Sequence, residues 1–356
     1  MGDGDRGAGD RLVRNRLHHP VLRGASLIAR VSRVFVTGGT GVIGSALVTR
    51  LLERGDEVVG LARSDSASSE LEARGVRVVR GEGYDEDALA RGMEGCAQAY
   101  NVAGVNALCV EDPRPMERMN VGGAVAAVRA AARAGVARLV HTSSAATIGE
   151  PRGVVGNERT PHRGWYLSTY ERTKTEGERA ALAASREVGQ DLVLVNPSSV
   201  QGPGRAGGTG RILLAFLDGR LRVFVRTSIS LVDIDDCATG HLLAAERGVA
   251  GERYLLNGMT LEITDALALA ADVAGVQRKP RLLPRRVATV AASVVERGFK
   301  VAGRRPPVCR EMVRTLLHGH RYDGSRAERE LGLRYTDPRE TIRKTVDWAR
   351  AEGLIR

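Results

Sequence analysis

The sequence predicts an α/β fold: a doubly wound parallel sheet carrying a smaller C-terminal substrate-binding region. Three observations predict it. Short β-branched runs alternate with longer helical stretches through the first two thirds of the 356 residues. The first such run opens straight into a glycine-rich turn and an amphipathic helix. After about Pro197 the alternation loosens into VQGPGRAGGTGR and then into helices joined by short strands.

Taken in order, residues 1–30 are dominated by Gly, Asp and Arg, lack an apolar stretch of signal-peptide length, and read as a disordered leader. Strands are expected at Arg33–Thr37, Glu57–Ala62, Arg77–Arg80, Gln98–Val102, Arg138–Ser143 and Leu192–Val195. Helical periodicity between them includes Val42–Arg54 and Met116–Ala134. Residues 31–200 thus form the sheet domain. Residues 201–356 form mostly the substrate-capping region, with some segments returning to the sheet. Arg281–Val301 has an apolar centre and arginine-rich flanks, which suit either a packed helix or weak peripheral contact with a membrane. The tail reads as two helices, the second opening at Asp337–Pro338 as N-cap and first-turn pair.

The formal charge of +11 is concentrated from Gly275 onward, where 20 Lys/Arg face 9 Asp/Glu. Aromatic content of 4%, with no interleaving of aromatic and basic residues, argues against nucleic-acid binding. No apolar window spans a bilayer, so a cytoplasmic location is expected. Cys96, Cys109, Cys237 and Cys309 form no Cys-x-x-Cys pair. They read as reduced, buried thiols, with no metal site.

The stretch RVFVTGGTGVIGSALVTRLLERG carries glycines at 38, 41 and 44 between the first strand and its helix. Such a turn lets backbone approach a pyrophosphate, whose charge the helix N-terminus stabilises. Where an NAD site would place an acidic residue after the second strand, this chain has Ala62 and then Arg63. An arginine there pairs with a 2′-phosphate, so NADP(H) is favoured and NAD(H) remains open. Glu82, after the third strand, is placed to meet the adenine edge.

Only four of the 53 basic residues are lysines, yet Lys174 stands four positions after Tyr170 in YERTK. Seven tyrosines and four lysines give by chance only about 0.08 such pairs. On a helix the two share a face one turn apart. An ammonium there helps lower a phenol's pKa from about 10 toward the range of a useful acid/base. HTSSAATIG, at the end of the fifth strand, offers Ser143 or Ser144 to polarise a carbonyl.

Together these motifs resemble the extended short-chain dehydrogenase/reductase family, over roughly residues 32 to 353. TGGTGVIG is similar to its TGxxGxxG loop, HTSSAATIG to its serine strand, YERTK to its YxxxK, and MNVGGAVAAVRAAARAGV to the helix bearing its asparagine, here Asn120. The resemblance implies a Rossmann sheet, with Ser144, Tyr170, Lys174 and Asn120 as catalytic residues. It implies cofactor contacts from Thr37, Gly38, Gly41, Val42, Ile43, Gly44, Arg63, Glu82, Ala103, Lys174 and Pro197. VNPSSVQGPG looks like the NPxxVxGP segment of the dihydroflavonol-reductase-like branch, although Arg281–Val301 also resembles hopanoid-associated sugar epimerases and sterol-dehydrogenase-like members. The usual Gly-Asp-Leu after the third strand is Gly81-Glu82-Gly83 here, and the usual Ala-Ala after the fourth is Ala103-Gly104.

The expected activity is hydride transfer between NADP(H) and a carbonyl or hydroxyl carbon of a small organic substrate. The alternatives are an NAD-dependent nucleotide-sugar epimerase or dehydratase, and a cofactor sensor without turnover. Val105, Asn106 and the Ser199–Gln201 loop are candidate pocket residues. A homodimer paired through Met116–Ala134 and Ser168–Ala184 is a further expectation drawn from the resemblance.

Overall fold

The computed structural model describes Met1, residues 32–304, residue 306 and residues 308–355; the leader expected over 1–30 otherwise lies outside the described residues. Strands are β1 (Arg33–Thr37), β2 (Glu57–Ala62), β3 (Arg77–Arg80), β4 (Gln98–Asn101), β5 (Arg138–Thr142), β6 (Leu192–Pro197), β7 (Ser199–Gln201), β8 (Val223–Val225), β9 (Ser228–Asp233), β10 (Arg253–Leu256), β11 (Met259–Glu262) and β12 (Arg281–Leu283). Helices are α1 (Val42–Glu53), α2 (Asp65–Glu72), α3 (Glu86–Met93), α4 (Arg114–Glu117), α5 (Gly123–Arg133), α6 (Thr169–Val188), α7 (Thr209–Leu217), α8 (Ile234–Arg247), α9 (Ile263–Val273), α10 (Arg285–Val301), α11 (Arg310–His318) and α12 (Pro338–Ala351).

Seven parallel strands form the main sheet in the order β10-β6-β5-β4-β1-β2-β3. The order reverses between β1 and β4, and the carboxyl ends of those two strands border the crevice where this fold takes its ligands. Helices cover both faces, so central strands are apolar throughout: β6 is buried at all six positions. One apolar layer joins Val34, Val36 and Tyr100 to Leu47 and Leu51 of α1. The opposite layer joins Phe35, Ala99 and Leu139 to α3, α5 and α6. Each fully buried leucine or phenylalanine contributes about 1.5–3 kcal/mol. The remaining strands make a three-stranded sheet, β11-β9-β7, and a parallel pair, β12-β8. A separate apolar cluster binds α7, α9 and α12.

Several boundaries differ from expectation. β4 and β5 each end one residue early, because Val102 and Ser143 already belong to the loops at the sheet edge. Met116–Ala134 is not one helix: a π-helical turn, Arg118–Gly122, separates α4 from α5. Gly122 and Gly123 weaken regular helix there, and the wider turn brings the Asn120 carbonyl against Gly177 of α6. The expected first tail helix is a short turn ending in π geometry at Ala327–Leu331, whereas α12 is capped by Asp337 as expected. Arg281–Leu283 pairs with β8 before α10 begins.

The expectation of four reduced thiols is corrected. Cys96 and Cys237 are free and buried, but Cys109 and Cys309 form a disulfide. Their sequence separation of 200 gives the sequence no local signature of the pair. The bond ties the loop after β4 to the N-cap of α11.

A β-carbon at Gly177 would lie 2.1 Å from the Asn120 carbonyl oxygen. Gly177→Ala is therefore expected to force α6 from the π turn and destabilise the fold by about 3 kcal/mol, measured by urea unfolding.

Candidate active site

At the end of β1, Gly38 takes φ +70° and its carbonyl accepts from the Gly41 N–H at 2.9 Å. A β-carbon at Gly44 would lie 2.0 Å from that carbonyl oxygen, and one at Gly38 would lie 2.9 Å from the Ala103 nitrogen. Side chains are thus excluded by the turn's own packing. Gly41 caps α1 without a side-chain acceptor, so the first helical amides at Val42, Ile43 and Gly44 have no cap partner from its side chain. A groove of about 420 Å³ beside them is lined by Gly41, Val42, Pro203, Gly204 and Ile234 among others. Close backbone approach and a free helix N-terminus fit a dinucleotide pyrophosphate.

Thr37 is fully buried; its hydroxyl donates to Asn101 Oδ1 at 2.7 Å and accepts from the Ala103 N–H at 3.0 Å. It fixes the β4 loop against the glycine turn. Arg63 is exposed just beyond β2, and Ser64 after it caps α2. Arg80 from β3 donates to the Arg63 carbonyl and pairs with Asp65 at 3.0 Å, which places the Arg80 guanidinium beside the Arg63 backbone. Glu82 is half-buried beyond β3, and Pro197 is buried at the end of β6.

Ser168 caps α6 by accepting from the Glu171 N–H at 3.0 Å, which sets the helix phase for Tyr170 and Lys174. Lys174 is buried, and its Nζ donates to the Thr142 carbonyl at 2.7 Å. Burial holds its pKa down to about 8, against the opposing pull of Glu178 one turn on. Tyr170 keeps part of its surface open, but its hydroxyl is desolvated. That burial raises its pKa, while a hydrogen bond with Ser144 and the charge of Arg205 work to lower it. Desolvation also disfavours the charge on Arg205 itself.

The two serines separate here. Ser143 donates to Glu178 Oε2 at 2.5 Å, whereas Ser144 faces Tyr170 and accepts from the Ala146 N–H at 3.2 Å. Asn120 clamps Val105: its Oδ1 accepts from the Val105 N–H at 2.8 Å and its Nδ2 donates to the Val105 carbonyl at 3.0 Å. Nδ2 also reaches Thr173 Oγ1 at 3.0 Å. At Gly104 a β-carbon would come within 3.3 Å of Asn120 Oδ1 and 3.7 Å of Lys174 Nζ, so this position lies directly over both. Ser199 and Gln201 both turn to Thr209 of α7.

Sequence reasoning missed Glu178, Arg205 and Glu311. Glu178 had one visible signal, its spacing four residues after Lys174. Glu311 had none. Its carboxylate accepts from the Cys109 N–H at 3.0 Å and from the Thr169 N–H, bracing α11 against both the β4 loop and the start of α6.

Residues 34–256 match the model of the NAD-dependent epimerase/dehydratase family. The chain belongs to that family. A Synechocystis protein provisionally named a dihydroflavonol 4-reductase is 33% identical, the match covering 92% of this chain and 98% of that one. Sterol demethylase protein B of Methylococcus capsulatus is also 33% identical, covering 90% and 99%. The crystal structure of gox2253 superposes with a TM-score of 0.80 at 31% identity, covering 91% of this chain and all of the other. This epimerase/dehydratase family member is an NAD(P)-dependent oxidoreductase that works by hydride transfer.

Lys174 supplies a pH test of the site. Its folded pKa, about 8, lies below the ordinary 10.5, so the charged form is disfavoured by folding. That penalty is fully present below pH 8 and disappears as pH rises to 10.5. Wild-type stability relative to Lys174→Met is expected to rise by about 3 kcal/mol across this window. Parallel urea titrations of the two proteins measure it.

Proposed function

We propose that this chain is an NADP(H)-dependent reductase or dehydrogenase acting on a carbonyl or hydroxyl carbon of a small apolar molecule, with Tyr170 moving the proton. The observation that carries this reading is the convergence of Ser144, Tyr170 and Lys174 beside the glycine turn at the carboxyl edge of the sheet. When bound, a nicotinamide cofactor would supply the hydride for reduction or take it up in oxidation. Ser144 donates a hydrogen bond to the substrate oxygen. Tyr170 gives its proton to that oxygen as negative charge develops, leaving alcohol and tyrosinate, and regains a proton from solvent. Lys174 spends one donor on Thr142 and keeps two for the ribose hydroxyls. Its charge and that of Arg205 favour the tyrosinate.

NADP(H) is supported by exposed Arg63, with Arg80 beside it and Ala62 where a carboxylate would select the 2′-hydroxyl. The sterol in the name of the Methylococcus relative supports an apolar substrate. Residues 201–356, apart from the sheet strand β10 and its neighbour α8, would cover the substrate.

Arg63→Ala is expected to weaken NADPH binding about tenfold or more while leaving NADH unchanged, followed by nicotinamide fluorescence. NADH preference with no effect of Arg63, or NAD(H) retained through purification, would replace this reading with the nucleotide-sugar epimerase. Tyr170→Phe should retain cofactor affinity and lower turnover about 10³-fold in a screen of ketones and alcohols followed by NADPH absorbance; unchanged turnover would remove Tyr170 from the mechanism.

A further inference from the structure

Helix α10 presents three faces. Ala288 and Ala292 are buried against Val313 and Leu317 of α11. On the opposite side Val287, Val290, Val294 and Val301, spaced three, four and seven residues apart, form one stripe. These valines are 49%, 63%, 67% and 85% exposed, so the fold leaves the stripe uncovered. Arg286 and Arg297 run along one edge of it, both exposed, and Arg285 and Arg304 stand exposed near its two ends. The helix has a single acidic residue, Glu296, whose carboxylate accepts from the Arg310 N–H at 2.8 Å.

We propose that α10 docks this chain in the plane of an anionic lipid bilayer, its valines entering the acyl boundary and its arginines meeting the phosphates. An apolar stripe with a basic edge matches the two layers of such an interface. Charge complementarity favours lipid over a second copy of the chain. Pairing this face with itself would bring arginine edges together, and the only carboxylate on the helix is already engaged. Among the described residues no helix is long and apolar enough to cross a membrane, so the contact is in-plane. Docking also faces the catalytic helix: α10 packs on α11, whose Glu311 holds the amide of Thr169 beside Tyr170.

The test is co-sedimentation of the full chain with vesicles of phosphatidylcholine alone or mixed with phosphatidylglycerol. Wild type is expected to bind the mixed vesicles, to bind phosphatidylcholine more weakly, and to be released by salt. Val290→Asp/Val294→Asp should lower the partition coefficient at least tenfold, and Arg286→Gln/Arg297→Gln by about tenfold. NADPH titration of both double variants verifies folding, since none of the four residues touches the cofactor region; if the aspartate pair fails to fold, the arginine pair still decides. Wild type left in the supernatant, or both variants bound like wild type, overturns the proposal. So does a dimer in sedimentation velocity that the aspartate pair dissociates, which assigns the face to a second copy.

Discussion

The Glu178 carboxylate collects donors from four segments that must meet for the site to exist. Ser143 reaches it from just beyond β5 at 2.5 Å, Thr147 from the following turn at 2.9 Å, Asn196 from β6 at 2.7 Å and Arg253 from β10 at 3.2 Å. A buried carboxylate left short of donors is severely penalised, so these segments are held in one arrangement. That arrangement turns Ser143 inward and leaves Ser144 facing Tyr170. Glu178 also favours the charged form of Lys174 one turn earlier. Its role is positional, yet the serine, the lysine and the edge of the sheet all depend on it.

Electrostatic tension is the second feature of the site. Lys174, Tyr170 and Arg205 are each held in surroundings that disfavour their charged forms. Behind them, His141 is kept neutral by burial and by the nearby lysine charge, and its Nδ1 accepts from Asn101 at 3.0 Å. Burying a cation and a phenol in this way costs free energy that a charge-compensating partner would recover.

Contacts from the C-terminal third fix the outer wall. Glu311 and the Cys109–Cys309 bond fasten α11 to the β4 loop, and Glu150 fastens the segment after α11. Burial pushes the Glu150 carboxyl up, but His318 and His320 hold it at about 2, with His320 Nδ1 at 2.7 Å and His318 donating to the Glu150 carbonyl at 3.1 Å. Residues more than 150 positions apart therefore share one wall.

The sequence by itself determined six of the seven strands of the main sheet, the glycine turn, the cap at Asp337, and the spacing of Tyr170 and Lys174. These follow from local periodicity and backbone sterics, which neighbouring residues set. Only the tertiary structure decided that Ser143 is spent on Glu178, that Asn120 is spent on Val105 and Thr173, that a π turn interrupts the helix at Arg118–Gly122, and that Cys109 meets Cys309. Each of these depends on groups brought together across the chain, Ser143 with Glu178 and Asn120 with Gly177. Such hydrogen bonds and close approaches have no periodic trace in the sequence, because their partners are chosen by how the helices pack on the sheet.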